Sequence, residues 1–321
     1  MLRNSLIALG QSGTAQTLVT RTPLRGMARR FVPGETVEEL VGAIQEANRV
    51  GLTATANYLG ESVHDEPSAR RAGDVYMRVL DSIYDRQLRA NVSLKFTQLG
   101  QDISEAFLGK NLGRVLERAR ETRSFIRFDM EGSDYTQRTL DAFEHLWDQG
   151  WRDIGVVLQS YMKRSAGDVA RMNQLGARVR LCKGAYAEPA SVAYQTQEEV
   201  DGNFVELMKM LLDRGNHPGI ATHDDRMIQA TIDHAVAEEI RPDRFEFQML
   251  HGVRRDLQEQ LVRDGWHVRV YVPFGEQWYP YLMRRLAERP ANVLFLAGSV
   301  VQESPLGFLW PRRKGGNHAG G

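Results

Sequence analysis

Six polar side chains stand where short apolar runs give way to loops: Lys95, Asp129, Gln159, Lys183, His223 and Gln248. A strand that only has to pack does not place an amine, a carboxylate or an amide at its carboxyl end. Their recurrence along one chain predicts a shared catalytic rim. On that rim Asp129 should face at least two cations, with its charge compensated, and the site could hold a carboxylate or a phosphate.

A second set lies in 279–288, YPYLMRRLAE, where Arg284, Arg285 and Glu288 accompany Tyr281 at helical spacings. Adjacent arginines point about 100° apart on a helix, so both can grip one carboxylate only if it lies against the helix side. A solvated arginine pair bridged to Glu288 is the simpler alternative. The third set is 180–186, RLCKGAY. Arg180 and Lys183 read as two cations on one interior face that need an anion, for which a flavin or a phosphate is the natural partner. Gly184 would let the backbone approach a large ligand.

Eight short β-branched or apolar runs carry these residues: 91–96, 125–130, 154–159, 178–183, 219–223, 245–250, 267–272 and 292–297. Helical patterns fall between them at 104–120, 136–147, 168–175, 197–212, 224–237, 253–264 and 278–288. Strand-helix alternation implies parallel pairing with the helices outside, and eight repeats imply a closed (βα)8 barrel of the TIM type. Ahead of it, 36–50 and 68–89 are helical patterns separated by GLTATANYLGESVHDEP. The expected organisation is an N-terminal helical segment, 1–90, packed on a barrel, 91–310, in one domain, with a flexible Gly-rich tail at 311–321.

Lys plus Arg equal Asp plus Glu at 41 each, which removes the net positive field expected of a nucleic-acid binder. Cys182 is the single cysteine, read as a buried strand thiol; it excludes an internal disulfide and fits a reducing cytosol. No apolar run reaches the length of a spanning helix, and the first residues lack a secretory pattern, so a cytoplasmic protein is expected. No GxGxxG is present, and neither 64–66 nor 223–225 spaces its His and acidic residues as a metal site would, so no metal is expected.

Ten segments, in order, resemble proline dehydrogenases: RRFVPGE (29–35), YLGESV (58–63), VSLKFTQLG (92–100), RFDMEGS (127–133), LQSYMKRS (158–165), VRLCKGAYAEP (179–189), ATHDD (221–225), FEFQMLHGV (245–253), VRVYVPFGE (268–276) and YLMRRLAE (281–288). The resemblance implies a distorted FAD-binding (βα)8 barrel of the monofunctional bacterial kind. It implies oxidation of L-proline to Δ1-pyrroline-5-carboxylate, the first step of proline degradation to glutamate, with a membrane quinone as acceptor and a peripheral contact with the inner membrane face.

By that resemblance Lys95, Arg284 and Arg285 would hold the proline carboxylate, while Leu250, Tyr271 and Tyr281 pack the ring and Tyr186 closes over it. Asp129 would lie beside the substrate and Arg180 by flavin N5. Met130, Gln159, Lys183, Gly184, Ala185, Thr222 and His223 would contact FAD, and Glu61 would gate the site by pairing with Arg284, with Glu288 beside them. Asn57 and Asp224 depart from the family's usual Asp and Asn. Two other readings stay open at this point: a Schiff-base aldolase or decarboxylase using Lys95 or Lys183, and a cofactor-free amino-acid binding protein using Arg284 and Arg285.

Overall fold

Within a strand, successive side chains alternate between faces, so a barrel strand must satisfy two environments at once. Segment 91–96, NVSLKF, does this with Val92, Leu94 and Phe96 on one face and Asn91, Ser93 and Lys95 on the other. A computed structural model of the chain describes residues 28–288, apart from the side chains of Arg284, Leu286, Ala287 and Glu288. The chain divides into two units, Phe31–Gln277, and Met1–Arg30 with Trp278–Gly321.

The larger unit runs α1 (Val37–Arg49), β1 (Thr53–Tyr58), α2 (Glu66–Asp85), β2 (Ala90–Leu94), α3 (Glu105–Glu121), β3 (Ile126–Phe128), α4 (Ser133–Asp148), β4 (Ile154–Gln159) and α5 (Ser165–Leu175). It continues through β5 (Arg178–Cys182), α6 (Gln197–Arg214), β6 (Gly219–Ala221), α7 (Asp225–Ala237), β7 (Glu246–Leu250), α8 (Arg255–Arg263) and β8 (Val268–Phe274). The eight strands are all parallel and close in sequence order, β8 pairing with β1. In the smaller unit the described helix is α9, Trp278–Glu288.

The expected barrel is present, but its first strand was misassigned. Thr53–Tyr58, read as part of a separator, is β1 and pairs on both sides, with Ala54 opposite Ala90 and Thr53 opposite Arg269. The barrel therefore begins well before residue 91, and the run 292–297 lies outside the described residues, as does the tail.

The main apolar core lies between strands and helices. Val92, Leu94, Ile126, Phe128, Val179 and Leu181 are all buried there with helix residues such as Leu80, Val115 and Leu211. The helices begin where sequence chemistry says they should. Thr36 and Thr196 each form a capping box with a glutamate three residues on, and Ser104 and Asp65 cap α3 and α2. With the apolar faces turned outward, the barrel interior is left to polar and charged residues, whereas an ordinary barrel of this kind fills it with branched aliphatics. Such an interior is stable only if its groups satisfy one another.

Candidate active site

The carboxylate that follows β3 is the hub of that interior. Asp129 Oδ1 accepts from Ser93 Oγ at 2.6 Å and from Arg180 Nη1 at 2.7 Å, and Oδ2 accepts from the Tyr271 hydroxyl at 2.7 Å. These residues sit on or beside β2, β3, β5 and β8, and contacts between strands that are not neighbours can form only through the barrel lumen. Arg180 Nε donates to Gln248 Oε1 at 2.5 Å, and its guanidinium lies over the Tyr271 ring, 5.2 Å from the centroid. Arg180 and Asp129 are a buried ion pair, their side chains 7% and 11% exposed.

The resemblance gave Asp129, Arg180 and Tyr271 separate roles in one site, and the structure brings the three into contact. The expectation of at least two cations on Asp129 is corrected: among the described ion pairs it has one, Arg180, with hydroxyl donors completing its shell. Gln248 was read as a rim residue, but it lies mid-strand in β7, beneath the mouth. Ser93 was not singled out, although the alternation of 91–95 puts it on the face of Lys95 and aims it into the lumen.

Lys183 does not share the interior face with Arg180. Three residues along an extended chain reverse the side, an arithmetic the paired reading overlooked. Lys183 Nζ instead pairs with Asp201 at 2.5 Å and Asp224 at 2.8 Å, and Arg226 bridges the same two carboxylates. Burial alone would raise the Asp224 carboxyl, but hydrogen bonds from Lys183 and the Arg226 backbone win and hold it down at about 2. An amine engaged by two carboxylates is poorly placed to act as a Schiff-base nucleophile.

Gly184 follows with φ +104°, a conformation that L residues avoid, and a Cβ there would overlap the Tyr161 ring. Ala185 and Tyr186, the next two residues, are half-buried. Gln159 at the end of β4 is 4% exposed; its Nε2 reaches the Met130 carbonyl at 3.5 Å, and its Oε1 has no hydrogen-bond partner. Arg180 Nη2 is likewise buried without a hydrogen-bond partner. Thr222 Oγ1 accepts from the Asp224 backbone N–H, and His223 Nε2 accepts from that of Leu250 at 2.8 Å, which leaves the ring proton on Nδ1. Cys182 ends β5 half-buried, not mid-strand, its Sγ 3.7 Å from the Leu158 carbonyl.

Above Asp129, Glu131 is a second buried carboxyl that the sequence reading missed. Its oxygens lie 2.8 and 2.9 Å from Thr97 Oγ1, which also accepts from the Ser62 backbone N–H at 3.1 Å. Desolvation raises the Glu131 pKa to about 7, opposed by Lys95 and the Thr97 hydrogen bond and reinforced by Glu61 and Asp129. Between the unfolded value near 4.5 and about 7, the unfolded chain loses this proton while the folded protein keeps it. The stability the group contributes is thus complete below pH 4.5 and is lost as pH rises through about 7. Glu131→Gln should therefore gain roughly 1–3 kcal/mol on the parent between about pH 5 and about pH 8, read from urea midpoints at both. A difference independent of pH would show that Glu131 is ionised throughout.

In the smaller unit, α9 carries Tyr281, Arg284 and Arg285, and the Arg285 guanidinium lies over the Tyr281 ring, 5.4 Å from the centroid. The side chains of Arg284 and Glu288, and with them the Glu61 gate, lie outside the described residues. Glu61 itself is half-buried in the loop after β1. Among the described residues no His, Cys, Asp and Glu cluster could hold a metal, and no helix is long and apolar enough to cross a membrane.

Residues 40–298 match the family model described as proline dehydrogenase. The chain is 37% identical over 303 residues to proline dehydrogenase 1 of Bacillus subtilis, covering 94% of this chain and all of that one. It is 36% identical over 308 residues to the proline dehydrogenase of Deinococcus radiodurans, covering 94% of this chain and 98% of the relative. Among solved structures it is similar to proline utilization A of Bdellovibrio bacteriovorus, inactivated by N-propargylglycine, with TM-score 0.77 and 26% identity over 89% of this chain and 35% of that longer one.

Proposed function

We propose, from the premise that this chain belongs to the proline dehydrogenase family, that it binds FAD at the mouth of the barrel and oxidises L-proline there. Bound FAD would supply the acceptor for a hydride from proline C5, which with loss of a proton from the amine gives Δ1-pyrroline-5-carboxylate, the electrons passing on to a membrane quinone and the protein meeting that membrane peripherally.

The observation that carries this reading is Arg180, a buried cation fixed by Asp129, Ser93 and Gln248 with its Nη2 group left without a hydrogen-bond partner. A buried donor of that kind is costly unless a ligand completes it. The unpartnered Gln159 Oε1 and the close approach that only glycine allows at Gly184 support the same cofactor from β4 and the β5 loop. Met130, just after β3, Ala185, in the β5 loop, and Thr222 and His223, just after β6, are assigned to FAD with them. Lys183 keeps the FAD contact that the family resemblance gives it, its amine held by Asp201 and Asp224.

Arg180 presents fixed positive charge where negative charge would develop on the reduced cofactor, an electrostatic arrangement that needs no reorganisation during the reaction. Asp129 keeps that charge compensated and in place. Lys95 at the barrel mouth would attract the proline carboxylate, and Leu250, Tyr271 and Tyr186 would limit the movement of the ring, an orientation effect worth several kcal/mol. Tyr281, Arg284 and Arg285 keep the substrate roles that the family resemblance gives them, and Glu61 keeps that of the gate.

Purified protein should be yellow, and anaerobic L-proline should bleach its flavin absorbance. Colourless protein that cannot be reconstituted with FAD would overturn the reading.

A further inference from the structure

An arginine can direct an N–H group at a ligand only if its other donors are held. Arg180 Nη1 is held by Asp129 and Ser93, and Nε by Gln248. A glutamine amide can present either its oxygen or its nitrogen, so something must choose. Here the choice is made from below: Gln248 Nε2 donates to Glu246 Oε1 at 2.6 Å, which turns Oε1 of the amide toward Arg180. While ionised, Glu246 can only accept; burial pushes its pKa up, but the Arg269 charge and hydrogen bond, with help from His217 and Arg127, outweigh that and hold it down at about 2. Arg269 Nε meets Glu246 at 2.7 Å, and its Nη1 is anchored on the Ala54 carbonyl of β1 at 2.6 Å.

We infer that Gln248, Glu246 and Arg269 form an orienting relay that rises through the lumen and fixes the direction of Arg180 Nη2; Gln248 and Glu246 are positioning residues for the proposed flavin reaction. The functional half of this inference rests on the proposed function; the orienting half concerns only the chain's own groups. Gly219 belongs to the relay in a different way. A Cβ on that β6 residue would overlap the Gln248 amide nitrogen, so glycine there is the seat in which the amide lies.

The test uses two variants of the full chain, Gln248→Met, which removes both hydrogen bonds at similar volume, and Gly219→Ala, which displaces the amide without deleting a polar group. In FAD-free protein the exchange of the Arg180 Nε–H, followed by nitrogen-edited NMR, should be faster by about tenfold or more in both variants, since the protecting acceptor is lost or displaced. In FAD-loaded protein kcat should fall by roughly 10- to 100-fold with the KM for proline within about threefold, the pattern of an effect on the reacting end alone. The bound flavin's midpoint potential should shift to more negative values as the cation swings away.

Unchanged Nε–H exchange in both variants would overturn the relay whatever the flavin does. Faster exchange with unchanged kcat and potential would overturn its positioning role. A parent protein that proline does not bleach, but in which both variants speed Nε–H exchange, would sink the proline reading and leave the orienting relay standing.

Discussion

Asp129→Ala is expected to lower kcat/KM for proline by about 10²- to 10³-fold, the fall lying mostly in kcat. The reason is what the substitution leaves behind. Arg180 would remain in the lumen with no counterion, and removing one partner of a buried pair costs roughly 3–5 kcal/mol because the other charge stays desolvated. The Tyr271 hydroxyl and Ser93 Oγ lose their acceptor in the same step. The guanidinium can relieve its isolation only by moving toward another acceptor, which takes it from the position that Gln248 and Asp129 define. A transition-state loss of 3–4 kcal/mol corresponds to that fold-change at about 1.4 kcal/mol per decade. Steady-state kinetics and a thermal melt check it. A variant with unchanged kcat/KM would remove Asp129 from the machinery, whereas Asp129→Asn, which keeps the shape and one acceptor, should lie between the variant and the parent.

Much of this arrangement is legible in the amino-acid sequence, and what is not has a physical cause. The helices were read within a few residues of their ends from their apolar stripes, and the caps at Thr36, Ser104 and Thr196 give the physical reason three of those starts hold. Strand β1 was missed because its sequence, TATANY, is neither β-branched throughout nor apolar. Its outward residues are Ala54 and Ala56, small enough to lie under α1, and its inward ones, Thr55 and Asn57, bond to Asn91 Oδ1 and the Ser93 carbonyl. Short apolar runs signal strands poorly when the lumen side is polar and the outer side is alanine. Lys183 was misread by parity alone. Glu131 carries no local signal, since it acts through Thr97, distant in sequence; Gln248 was legible as a polar residue in its strand, but its depth and its bond to Arg180 were not.

Gly184→Ala should cost the protein its flavin while leaving the fold in place. At φ +104° any side chain is strained, by about 1–2 kcal/mol on the scale of a left-handed residue. The new Cβ would also overlap the Tyr161 ring, and forcing a methyl into occupied space costs typically 1–3 kcal/mol. Neither side can yield easily. The Ser160 and Tyr161 N–H groups donate to the Cys182 and Lys183 carbonyls at 2.8 and 2.9 Å, which staples the two loops together. Tyr161 itself is 7% exposed. Relief must come from the loop that carries Gly184, Ala185 and Tyr186, moving it into the space proposed for the cofactor. A cost of 2–4 kcal/mol in the bound state is a loss of roughly 30- to 1,000-fold in FAD affinity, measured by titrating FAD into stripped protein. Gly176→Ala is the control that isolates this cause: its φ is +71°, so backbone strain is present, yet nothing lies within 4 Å of its Cβ. It should lower the melting temperature modestly and leave FAD affinity unchanged. If both glycine variants weakened FAD alike, strain and not the close approach would be responsible, and Gly184 would lose its place in the cofactor site.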